Sequence, residues 1–536
     1  MKNLFKLAGV VFAGRLLAVM LAAGFCSALA MAASPGMEAS LDTGVVRGSV
    51  QDGVIAFNGI PFAAPPVGDL RWRAPQPATA WQGVRSASEY GPDCMQLPFV
   101  SDAAPLVGTP SEDCLYLNVW KPAKPSAHKR PVMVWIYGGG FVNGGTSSAV
   151  YDGSQFAKRD VLLISFNYRM GRFGFFAHPA LTAEGGDGLL GNYAFMDQLA
   201  ALQWVRRNAA AFGGDPNNVT VFGESAGGIS VNMLLTSPLA QGLFQKAIVQ
   251  SGGGRNTLMP MRPLSQKLGG ATSGEALGLA FAKTVGVADE GARGLAALRA
   301  LPADKIVDGL NLSTLWTVQN YSGPMIDGRI MPIDLETAFR QGKHARVPLM
   351  LGANSGDGFF FGRTLDDALA PAGAERAAAL AIYDPQGLRN PMAIGSVLAG
   401  DQGFIEPARF VARAFNQHAT PVYVYRFSYV AESMRKEWFG VPHAAEIPFV
   451  FDTMQARYGD KTTPQDRAAA KATQAYWVAF ARTGKPSAPG LPAWPAYRAQ
   501  DDVLMDFALS GARAVKDPWH VRLDFTAAQS EKAAQH

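Results

Sequence analysis

Cysteine and histidine are scarce in this 536-residue chain, three and seven of them, and the histidines stand singly. No Cys/His cluster has the spacing of a structural zinc site, so no metal is expected. There is no run of lysine and arginine interleaved with aromatics. The formal net charge of +5 falls to 45 − 43 = +2 if Lys2, Lys6 and Arg15 leave with an N-terminal leader. That near-neutral balance argues against a nucleic-acid partner. Internal repeats and long low-complexity tracts are also missing. With 48% hydrophobic and 17% charged residues, the composition argues against disorder outside the ends and implies a globular chain with a large buried core. Neither GxGxxG nor a Lys-Ser/Thr phosphate loop is found, so nucleotide binding has little support and no cofactor is expected.

What is present begins with a leader. Lys2, Lys6 and Arg15 precede the apolar run 16–25, and small residues follow, with Ala-x-Ala cleavage patterns at 28–30 and 30–32. Residues 1–32 read as a secretory signal peptide, which predicts a periplasmic or secreted protein with no membrane association after cleavage. The alternative is a retained anchor, since residues 16–33 are just long enough to span a bilayer. Cys26 follows the bulky Phe25, where a lipidated leader wants a small residue. Removing the leader leaves Cys94 and Cys114 in an oxidising compartment, either as a disulfide closing a short loop or as two buried thiols.

The stretch that organises the rest is VTVFGESAGG, residues 219–228. A β-branched strand runs into a turn with Gly223 and Gly227 on either side of Ser225, and a helix follows. Glycine is needed there because the serine's backbone is strained and strand and helix pack too closely for a Cβ. The hydroxyl would stand at a helix N-terminus, which favours developing negative charge.

Around this turn, residues 41–63 alternate as an antiparallel hairpin at a sheet edge. The runs 115–120, 131–137, 161–168, 247–251, 347–352, 422–429 and 503–507 read as strands, the last of them closing the sheet. Residues 192–212 and 464–483 read as helices. The expectation is one α/β domain over 37–525, a large mostly parallel sheet with helices on both faces. Helical lid and wall insertions fall at about 263–343 and 364–418, and a flexible tail at 526–536.

Serine is a weak nucleophile at neutral pH and needs a base with an orienting carboxylate. Asp357, just past the strand 347–352, and His443, in the loop Gly440-Val441-Pro442-His443, supply them in the order Ser, Asp, His of an α/β hydrolase. A surface histidine and a turn-forming aspartate are the ordinary readings of these two, and the elbow displaces both. Tyr137-Gly138-Gly139-Gly140-Phe141 follows a central strand, and its glycines let backbone N–H groups turn to one point. Gly139, Gly140 and Ala226 are therefore the expected oxyanion donors.

The motifs EDCLYLNVW (112–120), WIYGGGF (135–141), NYRMGRFGF (167–175) and FGGDPNNVTVFGESAGG (212–228) resemble the type-B carboxylesterase family. The likeness runs from GIPFAAPPVGDLRWRAP (59–75) to FARTGKP (480–486). It implies an α/β-hydrolase fold and ester hydrolysis by Ser225, Asp357 and His443. It also implies an oxyanion hole at Gly139, Gly140 and Ala226, a disulfide between Cys94 and Cys114, and structural ion pairs Arg71–Glu112 and Arg169–Asp197. Two departures stand out. The acid loop is Gly356-Asp357-Gly358 where the family has Asp-Glu-Gly, so a shorter carboxylate must reach the histidine. The loop between the cysteines has no tryptophan, which argues against choline esters.

The expected activity is therefore that of an exported serine esterase acting on small-molecule esters. A lipase is the alternative, with Phe359, Phe360 and Phe361 as a lipid-sized lining. A binding module that has lost its catalysis is the non-enzymatic one, and the retained Ser225, Asp357 and His443 argue against it. Arg255, after Gly252-Gly253-Gly254, is expected at the rim of the acyl pocket as a receptor for carboxylate-bearing esters. An outward-pointing surface arginine is the competing reading.

Overall fold

The computed structural model describes residues 36–186, 188–265 and 272–534; the expected signal peptide lies outside them. An eleven-stranded sheet carries the molecule, in the spatial order Gly511–Lys516, Val503–Ala508, Val422–Phe427, Leu349–Asn354, Lys246–Gln250, Gly214–Glu224, Arg130–Ile136, Leu162–Phe166, Tyr116–Pro122, Val54–Pro61, Ser49–Gln51. From Val503–Ala508 to Leu162–Phe166 neighbours pair in parallel, and the outer pairs are antiparallel. Leu162–Phe166, Lys246–Gln250, Leu349–Asn354 and Val422–Phe427 are buried at every position. That explains their unbroken apolar runs, because a parallel strand is covered on both faces.

Helices close the crossovers. Tyr193–Asn208 ends in a 3-10 turn and Gly213, whose φ of +83° is left-handed, and leads into the elbow strand. Pro464–Thr483 starts with a Thr463/Asp466 capping box and stops at Gly484, φ +75°, as the cap rules require. Trp135 packs among Tyr151, Phe222 and Phe451, cementing strands to helices. Both ion pairs implied by the resemblance are formed. Arg71 holds Glu112 at 2.5 and 2.9 Å, and Arg169 holds Asp197 at 2.7 and 2.8 Å.

Several expectations are corrected. The N-terminal segment is two hairpins, Glu38–Leu41 with Gly44–Arg47 and Ser49–Gln51 with Val54–Pro61; the first joins Val84–Ser86 in a separate small sheet. The first insertion is only partly helical, with helices Gly274–Thr284, Ala292–Ala300, Ala303–Val307 and Leu335–Arg340 around irregular chain. Val503–Ala508 is not the last strand, since Gly511–Lys516 pairs beyond it. The tail 526–536 is not a flexible end as far as residue 534. Residues His520–Ala533 form a helix that buries Leu523, Thr526 and Ser530 and pairs Arg409 with Asp524, Arg522 with Asp401 and Arg340 with Glu531.

Candidate active site

Ser225 sits between the strand Gly214–Glu224 and the helix Ala226–Thr236 with φ +56° and ψ −122°, a conformation that costs energy for any residue with a side chain. Its flanking glycines are obligatory. A Cβ on Gly227 would stand 2.0 Å from Ile136 O, and one on Gly223 would stand 2.5 Å from Gly227 O.

Asp357 and His443 come from loops beyond the ends of Leu349–Asn354 and Val422–Phe427, joined by a bridge between Gly356 and Pro442. His443 Nδ1 lies 2.6 Å from Asp357 Oδ1, so the shorter carboxylate does reach. Its other oxygen accepts from Ser251 Oγ at 2.6 Å and from the Asn354 N–H at 2.9 Å, which fixes its orientation.

His443 Nε2 lies 3.2 Å from Glu224 Oε1, the residue immediately before Ser225. The distance is that of an ion pair, but the alignment is not that of a hydrogen bond, and Oε1 has no other partner among the described residues. Ser225 Oγ makes no hydrogen bond among the described residues. Glu446, three residues after His443, is buried behind the pair and accepts from Gln250 Nε2 at 2.9 Å and Asn354 Nδ2 at 2.6 Å. Glu224 and Glu446 were missed from sequence. The signals were there: a charged residue inside a buried elbow, and an acid one helical turn beyond a loop histidine.

These charges set the imidazole. Burial pushes His443 down, and the carboxylates of Glu224 and Asp357 outweigh it, holding it up at about 9. Burial likewise pushes Glu224 well above the carboxylate range against the pull of His443, and it pushes Glu446 up.

In the glycine run after Arg130–Ile136, Gly139 and Gly140 take φ of +96° and +61°. The N–H groups of Gly139, Gly140 and Ala226 donate to no protein acceptor among the described residues. Three N–H donors without a protein acceptor thus lie in the turn of the strained serine and in the glycine run. The loop is braced by the bonded Cys94–Cys114 pair: Gln96 accepts from Gly144 N at 2.8 Å and Asn143 Nδ2 at 3.2 Å, and Asp93 bonds Thr146 and Ser147. Asn143 Oδ1 in turn takes the Leu312 N–H at 2.8 Å. Leu312 and Leu315 stand over Gly140, since a Cβ there would meet their methyls at 3.0 and 2.9 Å.

Arg255 is not at the rim. Its guanidinium is buried and committed to three carboxylates: Glu406 at 2.6 and 2.8 Å, Glu336 at 2.8 Å and Glu531 at 3.1 Å. It lies over the Phe410 ring at 4.0 Å. Four of its five N–H donors are taken, so it cannot serve as a receptor for a substrate carboxylate.

Compared with known families, residues 35–384 and 393–525 match the model of the Carboxylesterase family. The chain belongs to the carboxylesterase family. Its similar members include Fumonisin B1 esterase of Sphingopyxis macrogoltabida, 35% identical over 90% of this chain and 89% of that protein. Para-nitrobenzyl esterase of Bacillus subtilis (strain 168) is 36% identical over 85% and 92%. Acetylcholinesterase of Bungarus fasciatus is 34% identical over 88% and 84%. A solved structure of PNB esterase superposes with a TM-score of 0.78 at 32% identity, covering 92% of this chain and 99% of that one. This carboxylesterase-family chain is thus a carboxylic ester hydrolase of the α/β-hydrolase fold. Among the described residues no helix is long and apolar enough to cross a membrane.

Proposed function

We propose that hydrolysis proceeds through an acyl-enzyme on Ser225, with His443 as base, Asp357 as its orienting acid and the N–H groups of Gly139, Gly140 and Ala226 as the oxyanion receptor. The observations that support this reading are the strained Ser225, the unpaired N–H groups of Ala226 after it and of Gly139 and Gly140 next to Gly138, where a Cβ would stand 2.9 Å from Ser225 Cβ, and an aspartate-bound imidazole 3.2 Å from Glu224, the residue before the serine. Ser225 Oγ attacks the ester carbonyl carbon while Nε2 of His443 takes its proton. The carbonyl oxygen gains negative charge where the free N–H groups point. Collapse breaks the C–O bond, and the alcohol oxygen leaves with the proton from Nε2. Water then repeats the sequence on the acyl-enzyme, returning the acid and free Ser225. Nε2 rests beside Glu224 in the free enzyme, so substrate binding has to bring the imidazole and Ser225 into line.

The favoured substrates are uncharged esters. Leu312, Leu315 and Phe359 present apolar surface around Gly140 and His443. The carboxylates of Glu224 and Asp357 would repel an anionic acyl group, and Arg255 has no donor to offer it. Export belongs to the same reading: the disulfide suits an oxidising compartment. N-terminal sequencing of the mature protein from the periplasm and the medium tests it. The mechanism is tested by rapid-quench kinetics with a p-nitrophenyl ester. The expected result is a burst of p-nitrophenol equal to one equivalent of enzyme and a covalent acyl group on Ser225; absence of both would overturn it.

A further inference from the structure

Between the helices Pro391–Gly400 and Glu406–Asn416 the chain makes one π turn, Asp401–Ile405. Such turns interrupt the hydrogen-bond ladder at a cost and recur at functional sites. This one touches the proposed acid–base pair twice. Phe404 packs on the His443 ring, centroids 4.8 Å apart, with Phe359 against the same ring at 5.0 Å. Gly400 abuts the acid loop: a Cβ there would lie 3.0 Å from Gly358 N and 3.6 Å from the Asp357 carbonyl carbon. From the other side, a Cβ on Gly358 would stand 1.8 Å from Ser396 O. Helix and acid loop meet backbone to backbone, with no room for a methyl on Gly358 and a tight contact for one on Gly400.

The turn is also fixed from outside. Asp401 is fully buried. It accepts from Arg522 Nη2 of the C-terminal helix at 3.1 Å and from Tyr383 Oη at 3.0 Å. Tyr383 Oη also lies 2.9 Å from Thr526 Oγ1 of the same helix. An ion pair this deep holds position because moving either partner would strand a buried charge.

The geometry points to residues 400–404 as a positioning device for the acid–base pair: Gly400 sets the backbone of Asp357, Phe404 sets the plane of His443, and the C-terminal helix anchors both through Asp401. The inference rests on the reading of Asp357 and His443 as the acid and base. It also explains how an aspartate serves where the resembling family has a glutamate: a side chain one methylene shorter needs its backbone held closer.

Gly400→Ala and Phe404→Leu test it in the full chain beside Asp357→Asn. Gly400 is the last residue of a helix, where alanine is the better helix former, so a merely structural role predicts unchanged or raised melting temperature and unchanged kinetics. A positioning role predicts a fall in kcat of about fivefold to tenfold, with KM within about twofold and no loss of melting temperature, because a few tenths of an ångström at the acid loop misaligns the base. Phe404→Leu keeps apolar volume and should lower kcat by a similar factor, again with KM nearly fixed. Wild-type kcat in both variants while Asp357→Asn is disabled overturns the positioning device and leaves the acid–base reading standing. A loss of activity that only tracks loss of folded protein overturns it as well. Wild-type activity in Asp357→Asn would instead remove the reading beneath it.

Discussion

Two clusters in this molecule each gather three carboxylates, and they are built for opposite ends. Around Arg255, the acids Glu336, Glu406 and Glu531 meet two permanent cations, Arg255 and Arg340. Burial alone would pull the Arg255 guanidinium down, and the bonded carboxylates outweigh it and hold it above its ordinary value. Every carboxylate there is bonded to a permanent cation. Around His443, the acids Asp357, Glu224 and Glu446 pair with no arginine or lysine among the described residues, only with an imidazole that can give up its charge. The first arrangement fixes structure. The second surrounds a titratable ring with negative charge, which favours imidazolium, the form the proposed base takes when it holds the serine proton.

The sharpest way to break this comparison is at the serine. Ser225→Ala is expected to lower kcat by about 10⁴- to 10⁶-fold while leaving thermal unfolding unchanged, and His443→Ala to match it. Asp357→Asn should cost about 10⁴-fold or somewhat less, through the wrong tautomer. Steady-state assays beside calorimetry check the set. Wild-type turnover in Ser225→Ala would end the assignment.

The arginine-bonded cluster should answer in stability instead. Arg255→Met strands the buried Glu406 carboxylate, so unfolding free energy is expected to fall by about 3–5 kcal/mol. Activity per folded molecule should change little, as Arg255 has no path to substrate. The ratio of kcat/KM for a dicarboxylic monoester and its neutral diester should stay the same in wild type and variant. A selective loss on the monoester would restore Arg255 to the pocket.

A smaller effect belongs to the brace of the oxyanion loop. Cys94→Ala with Cys114→Ala should cost about 3 kcal/mol of stability in the chain-entropy account. It should also lower kcat more than it raises KM, because Asp93 and Gln96 hold the glycine loop from this segment. Urea unfolding with kinetics of the folded fraction separates the two. An unchanged kcat would mean the loop holds its own shape.

What was legible in the sequence was what is local. The elbow, the glycine run and the buried strands each announce themselves within about ten residues, because backbone strain and burial on both faces dictate residue type on the spot. Arg255 was misread because its partners lie 81, 151 and 276 residues away, and no local pattern encodes such pairings. Glu224 was in plain view in GESAG, but its meaning came only with the imidazole beside it. The C-terminal strand and helix were missed for another reason. Gly511–Lys516 is an edge strand with no buried position, and His520–Ala533 buries only Leu523, Thr526 and Ser530. Neither shows a hydrophobic period; ion pairs to distant arginines hold the helix instead.

The finest test concerns the charge of Glu224. A base must be neutral to accept the serine proton, and His443 is held up at about 9, so kcat/KM should climb with pH above the ordinary imidazole midpoint of about 6.5. The sign follows from the partners: carboxylates beside the ring favour imidazolium, so protonation persists to higher pH and less base is available at neutrality. Glu224→Gln keeps the shape and removes one of those charges. Its pH profile should therefore shift down by about one pH unit, raising the fraction of plateau activity available near neutral pH. A burst assay with a neutral ester from pH 5 to 10, in both proteins, reads the midpoint directly. An unmoved midpoint would mean that burial keeps Glu224 protonated in the free enzyme, and that Asp357 alone holds the imidazole up.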